Sequence, residues 1–322
     1  MTLRPAPLLL HDPVFLEHDA GPGHVERPER LRAIDAALGS AGLVERFERV
    51  APRPATDAEL LRLHTRAYVD RLAEACAAGR GFIDTPDSGV CAASEGVARL
   101  AAGGCLDLAD RVADGDGVRA LALVRPPGHH AEADRSMGFC LYANAALAAD
   151  RLAARLGRVA VVDVDVHHGN GTQHLLEERS DVLFVSLHED PRVQYPGMGY
   201  AHERGRGDGE GFTLNVPLPP GAGDAAWLEA FDREAAPAIG AFGPAALVVS
   251  AGFDAAAEDP LGHLEVTADG FAAMARRLVR IAEACCAGRV LAVLEGGYDL
   301  GALSGGVLAL AESLLGAAEG AG

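Results

Sequence analysis

Two hydrophobic patterns alternate along the chain. Short apolar or β-branched runs recur at residues 120–124, 159–162, 182–187, 246–250 and 290–294, each bounded by Gly, Pro or charge. Runs of that length and type predict strands. Between them lie Ala- and Leu-rich stretches with helical spacing, at 27–38, 57–77, 92–113, 141–156, 224–239, 268–287 and 302–315. Asp57 and Asp224 are placed to cap their helices, and Pro28 suits a first turn. Strand and helix in alternation predict an α/β fold with a mainly parallel sheet. No internal repeat or linker-like segment divides the chain, and the polar, glycine-rich stretch 203–211 reads as a surface loop. One domain is therefore expected across residues 1–322.

Composition narrows the function classes. The chain has 322 residues, 49% of them hydrophobic, which is enough for a large core. It carries 28 basic and 46 acidic side chains, for a net charge of −18, and every basic residue is arginine. That balance argues against general binding to nucleic acid or anionic membranes and favours long-range steering of cations. No apolar run reaches membrane-spanning length. The early Leu8-Leu9-Leu10 run ends at His11 and Asp12, so it does not read as a signal peptide. Six scattered cysteines without a Cys-x-x-Cys pair fit a reducing cytoplasm.

In an open α/β sheet, ligands bind beyond the carboxyl ends of the strands. Four predicted strands end in chemistry. The first is followed by Arg125-Pro126-Pro127-Gly128-His129-His130, the second by Asp163-Val164-Asp165-Val166-His167-His168-Gly169-Asn170. The fourth leads into Gly252-Phe253-Asp254 and the fifth into Glu295-Gly296-Gly297-Tyr298. Asp165 and His167, two apart on an extended segment, point the same way. With Asp254 they make an Asp-His-Asp set suited to a divalent ion with positions left open for water and substrate. Taken alone, Asp254 would equally serve as a helix cap; the constellation decides. Adjacent histidines cannot both face a core, so at least one of His129 and His130 should face the site. Tyr298, on a glycine turn, is either a core tyrosine or a mobile donor facing the metal, and the other strand ends favour the donor. His11, His18, His24, His64, His168, His174, His188, His202 and His263 read as ordinary surface or supporting residues.

These motifs, with Gly138-Phe139-Cys140 and Asp259-Pro260-Leu261-Gly262, occur in an order that resembles the zinc-dependent histone deacetylase superfamily, which includes bacterial histone deacetylase-like and acetylpolyamine amidohydrolases. The resemblance implies the arginase/deacetylase α/β fold and hydrolysis of an acyl amide. It implies one zinc ion on Asp165, His167 and Asp254. His129 and His130 match the tandem histidines, with Asp163 orienting the first and Asn170 the second. Tyr298 matches the tyrosine that polarises the substrate carbonyl. Asp163, Ser186 and Leu187 match a potassium site. Phe139 and Tyr195 match the aromatic walls of an acyl-lysine tunnel, where the family usually has phenylalanine at the second. Gly138, Ser88 and Leu261 are further expected substrate contacts. Asparagine at 170 is typical of the class II-like branch; an amide orients His130 but cannot stabilise its protonated form as a carboxylate does.

The expected substrate is an acyl-lysine peptide or protein, or a similar acylated amine. The alternative is an acetylpolyamine: the acidic charge attracts such cations, but Leu261 stands where a polyamine-selective relative carries glutamate. Glu132 is a further acid that could serve a cation. A binuclear ureohydrolase is disfavoured because Gly169 occupies the position of its extra carboxylate. A non-catalytic acyl-lysine binder is disfavoured because tyrosine, histidines and ligands are all present.

Overall fold

Eight strands, every one parallel to its neighbours, make one sheet in the computed structural model, which describes residues 5–316. They are β1 Leu8–Leu10, β2 Glu48–Val50, β3 Arg119–Ala122, β4 Val159–Asp163, β5 Val182–Glu189, β6 Thr213–Leu218, β7 Ala246–Ala251 and β8 Val290–Leu294. The spatial order is β2-β1-β3-β8-β7-β4-β5-β6. The expected mainly parallel sheet is thus wholly parallel.

Ten helices cover it: α1 Glu29–Ser40, α2 Asp57–Leu60, α3 Arg66–Ala77, α4 Ser94–Asp114, α5 Asn144–Leu156, α6 Asn170–Leu176, α7 Asp224–Ala230, α8 Ala236–Phe242, α9 Ala268–Cys286 and α10 Leu300–Gly316. With helices packed on its faces, β3, β4, β5, β7 and β8 bury every residue. This is why those five read as unbroken apolar runs.

The strands that hydropathy does not reveal are short or peripheral. β1 is three buried leucines, too short to separate from any apolar stretch. β2 and β6 are the two edges. β2 reads Glu-Arg-Val and is largely exposed, and β6 carries Pro217. Proline lacks the N–H of a ladder bond, so an edge tolerates it best.

The predicted helix at 57–77 is two. Thr56 and Glu59 form a reciprocal capping box at the start of α2, one residue before the expected cap Asp57. The chain then turns at buried His64, and Thr65 caps α3 by accepting from Tyr68 N. Asp224 likewise is not a cap; Gly223 holds that position, and the Asp224 carboxylate instead accepts from Thr267 N and Oγ1 at the head of α9. A π-helical turn, Phe231–Ala235, joins α7 to α8.

β3 and β4 are consecutive in the chain, yet β8 and β7 lie between them. The loops after all four strands therefore leave the same edge of the sheet, where a crevice is expected.

Candidate active site

Four strand ends interlock at that edge through backbone donors and carboxylate acceptors. After β4, Asp165 N donates to Asp163 Oδ1 (3.1 Å) and His167 N to Asp165 Oδ1 (2.9 Å). After β7, Asp254 Oδ1 accepts from Val166 N at 2.9 Å. After β8, Gly296 N donates to Asp165 Oδ2 at 2.9 Å. Glu295 Oε2 accepts from Gly128 N and His129 N, at 2.7 and 3.1 Å, tying the segment after β3 to the same knot. The approach at Gly296 is close: a Cβ there would lie 2.0 Å from Asp254 Oδ2, so only glycine fits.

This knot brings the expected metal ligands together. The ligand atoms of Asp165, His167 and Asp254 all lie within 4.8 Å of one another, and all three residues are buried. His167 Nδ1 sits 3.0 Å from Asp165 Oδ1 and 3.2 Å from Asp254 Oδ2. Asp254 Oδ2 is buried without a hydrogen bond. Burial, with Asp165 beside it, pushes the Asp254 carboxyl up to about 7. Two carboxylates in so dry a pocket resist joint ionisation unless a cation joins them. The donor set of one imidazole and two carboxylates fits a divalent ion.

The tandem histidines stand beside it, ring centroids 4.0 Å apart. His129 Nδ1 meets Asp163 Oδ2 at 3.0 Å, and its Nε2 faces Asp165 Oδ2 across 3.8 Å. Burial opposes protonation of His129, but Asp165 and Asp163 raise its pKa well above the ordinary value. His130 Nδ1 meets Asn170 Oδ1 at 2.6 Å. Burial, aided by His129 and His167, holds His130 well below the ordinary value, so its ring rests neutral.

Above the knot opens a cavity of ≈ 240 Å³. His130, His167, Tyr298, Phe139, Tyr195 and Leu261 all line it. Gly138 also lines it, with φ +54°; a Cβ there would lie 2.3 Å from the His130 ring. Phe139 itself holds φ +69°, which is rare for an aromatic residue. Its ring meets Tyr298 edge-on at 5.6 Å, while Tyr195 meets His130 edge-on at 5.1 Å. Burial raises the Tyr298 phenol well above its ordinary value, so it stays a donor. A larger opening of ≈ 340 Å³, lined by Ala256, Glu258, Phe271 and Asp299 among others, holds none of these histidines and offers no catalytic set.

The histone deacetylase domain description matches residues 24–314. The chain belongs to the histone deacetylase family. It is 42% identical over 287 residues to a histone deacetylase-like amidohydrolase of Pseudomonas aeruginosa, covering 88% of this chain and 75% of that protein. It is 40% identical over 289 residues to a probable deacetylase of Archaeoglobus fulgidus, covering 89% and 79%. A crystal structure described as the HDA15 HD domain superposes with a TM-score of 0.91 at 41% identity, covering 97% of this chain and 90% of that one. These names describe deacetylases and amidohydrolases, so the chain is an enzyme of a family that hydrolyses amide bonds. Among the described residues, no helix is long and apolar enough to cross a membrane.

Some residues of this deacetylase-family site lie elsewhere than expected. Ser88 is fully buried and meets Thr85 Oγ1 at 3.1 Å; its neighbour Asp87 lines the cavity instead. Glu132 turns away from the mouth, toward Asn170 and His174. Asp163 and Ser186 are not among these: register sets them side by side, Asp163 meeting His129 and Ser186 Oγ meeting His188 Nδ1 at 2.9 Å. His18, His64, His168 and His188 are buried supports; His24 reaches the mouth, edge-on to Phe139 at 4.7 Å and against Asp87 O at 3.2 Å.

Sequence reasoning missed Asp87 and Gln194 on the walls, and also the support beneath Tyr298. Arg30 lies 5.0 Å over the Tyr298 ring and donates to Gly297 O and Glu295 O at 2.7 and 2.6 Å. Buried Glu26 bridges Arg30 and Arg125; burial opposes its ionisation, but Arg125 and His18 hold it well below the usual range. Asp259 Oδ2 accepts from Tyr298 N and Asp299 N, at 2.6 and 3.1 Å, and its Oδ1 from Leu261 N at 3.0 Å. The one available signal for Asp259 was its place in the Asp-Pro-Leu-Gly motif.

Proposed function

We propose that the protein is a zinc-dependent amidohydrolase that removes acetyl or other acyl groups from lysine side chains, with one zinc per chain. The observation that carries this reading is the buried cluster of Asp165, His167 and Asp254, whose Asp254 Oδ2 accepts no hydrogen bond, beside a cavity lined by Phe139, Tyr195 and Tyr298. Bound there, zinc supplies Lewis-acid polarisation of the acyl carbonyl and acidification of water. His130, neutral and oriented by Asn170, takes the proton of the attacking water as its oxygen bonds to the acyl carbon. It returns that proton to the departing amine as the C–N bond breaks. His129, held by Asp163, supplies positive charge beside the developing oxyanion. Tyr298 donates its hydroxyl to that oxygen. The flat walls Phe139 and Tyr195 suit the methylene stem of lysine, each buried methylene contributing about 0.8 kcal/mol. Asp163, Ser186 and Leu187 remain the proposed seat of a structural potassium ion, and no step runs through it.

A second substrate reading has support of its own. Asp87 at the mouth and a net charge of −18 favour an acetylated polyamine. Leu261 opposes it, since an aliphatic wall leaves the extra ammonium without a partner. The deciding experiment is a steady-state comparison on zinc-loaded protein at physiological ionic strength, where steering is screened. Acetyl-lysine peptides, longer acyl-lysines and N-acetylspermidine are compared by kcat/KM. Acyl-lysine should win; a higher value for N-acetylspermidine overturns the lysine reading in favour of the polyamine.

A further inference from the structure

The two histidines are oriented by different chemistry. His129 faces a carboxylate, which can only accept, so its Nδ1 must carry hydrogen. His130 faces an amide, which presents oxygen or nitrogen depending on which way it is turned. The tautomer of His130 is therefore set by whatever orients Asn170.

Three acceptors surround Asn170 Nδ2: Glu132 Oε1 at 2.6 Å, the His130 carbonyl at 3.4 Å and Met137 Sδ at 3.3 Å. Glu132 is the short, charged one, and a carboxylate admits only a donor opposite it. Turning the amide over would set oxygen against oxygen. Glu132 is itself held in place. Its backbone N donates to Arg135 O at 3.0 Å, and its carbonyl accepts from His64 Nδ1 at 2.9 Å. Its carboxylate takes both contacts from His174 Nδ1, at 2.9 and 3.0 Å, at the protein surface.

We infer that Glu132 is a positioning residue for the reaction: by fixing the Asn170 amide it holds His130 in the Nδ1–H form, leaving Nε2 free as the base. It touches neither cavity nor metal ligands and acts only through Asn170. The inference rests on the base role of His130 given above, but its spectroscopic test does not. An amide at 170 and a carboxylate at 132 form a matched pair. An aspartate at 170 would face Glu132 as a second acceptor.

The test uses the zinc-loaded full chain with ¹⁵N-labelled histidine. Ring ¹⁵N–¹H spectra should show His130 of the wild type only as the Nδ1–H tautomer; an Nε2–H form there overturns the inference outright. Glu132→Gln, close in shape, should admit the Nε2–H form and lower kcat by roughly 10-fold with KM little changed. Asn170→Asp should lose more, and Asn170→Asp with Glu132→Gln should recover at least part of it, because the amide then sits at 132. Glu132→Gln with an unchanged tautomer and kcat, or a double variant no better than Asn170→Asp, overturns the inference. If wild type fails to hydrolyse any acyl amine, the functional reading falls while the tautomer result still stands or falls by itself.

Discussion

The floor and the mouth of the cavity are built by opposite means. At the floor, backbone N–H groups pin the carboxylates, from within its own segment at Asp163 and from other segments at Asp165, Asp254 and Glu295, so four strand ends hold one another. At the mouth, Phe139, Tyr195 and Leu261 come from loops, and Tyr195 is 39% exposed. A sheet edge fixes atoms with little freedom, whereas loops tolerate change. Chemistry should therefore be intolerant at the floor, and substrate choice adjustable at the mouth.

The largest effect that could break this contrast is at the metal ligands. Asp254→Ala or Asp165→Ala should abolish both zinc binding and turnover, because a three-ligand site has none to spare. Metal content and kcat measured together decide it; full occupancy with normal turnover in either variant removes the assignment. A chelator should silence the wild type, and added zinc should restore it.

His130→Ala should keep zinc and fold while losing roughly 100- to 10,000-fold in kcat. Near-wild-type activity across pH would withdraw its role as base. Tyr298→Phe should cost about 100- to 1,000-fold, as loss of one oxyanion donor does elsewhere.

Changes at the mouth should be smaller and should alter preference more than rate. Leu261→Glu should shift the ratio of kcat/KM toward N-acetylspermidine by about 10-fold, or ~1.4 kcal/mol, by giving its ammonium a partner. An unmoved ratio would mean that Leu261 does not set this choice. Tyr195→Phe, which keeps the edge-on contact with His130, should change kcat/KM by roughly twofold or less. A loss as large as that of Tyr298→Phe would place the Tyr195 hydroxyl among the floor groups.

The same contrast explains what could be read before the structure. Strands β3, β4, β5, β7 and β8 are buried on both faces, and burial writes itself as continuous apolar sequence. Their ends carry the floor, so Asp165, His167 and at least one of the two histidines were legible from position, and Asp254 only once the others stood beside it. β2 and β6 were not, because an edge strand is half-solvated and carries charge or proline. The break at His64 was hidden because residues on both sides keep helical spacing, and only the Thr65 cap marks the restart. Asp87, His24 and Arg30 could not be placed, since each reaches the site across a long chain separation: Arg30 meets Gly297, and His24 meets Asp87. Ser88 was the expected contact, yet Asp87 lines the cavity, because a turn decides which of two adjacent polar side chains faces it.

Asp259 joins the two regions that otherwise differ so much. One oxygen holds the Leu261 amide and the other the amides of Tyr298 and Asp299. For anyone reshaping the enzyme by directed evolution, that carboxylate is a boundary. A library randomised at Leu261 with Asp259 kept explores new leaving amines while the oxyanion donor stays anchored. One that also varies Asp259 selects for entry and turnover at once, and clones with a wider mouth will carry a slackened Tyr298 turn.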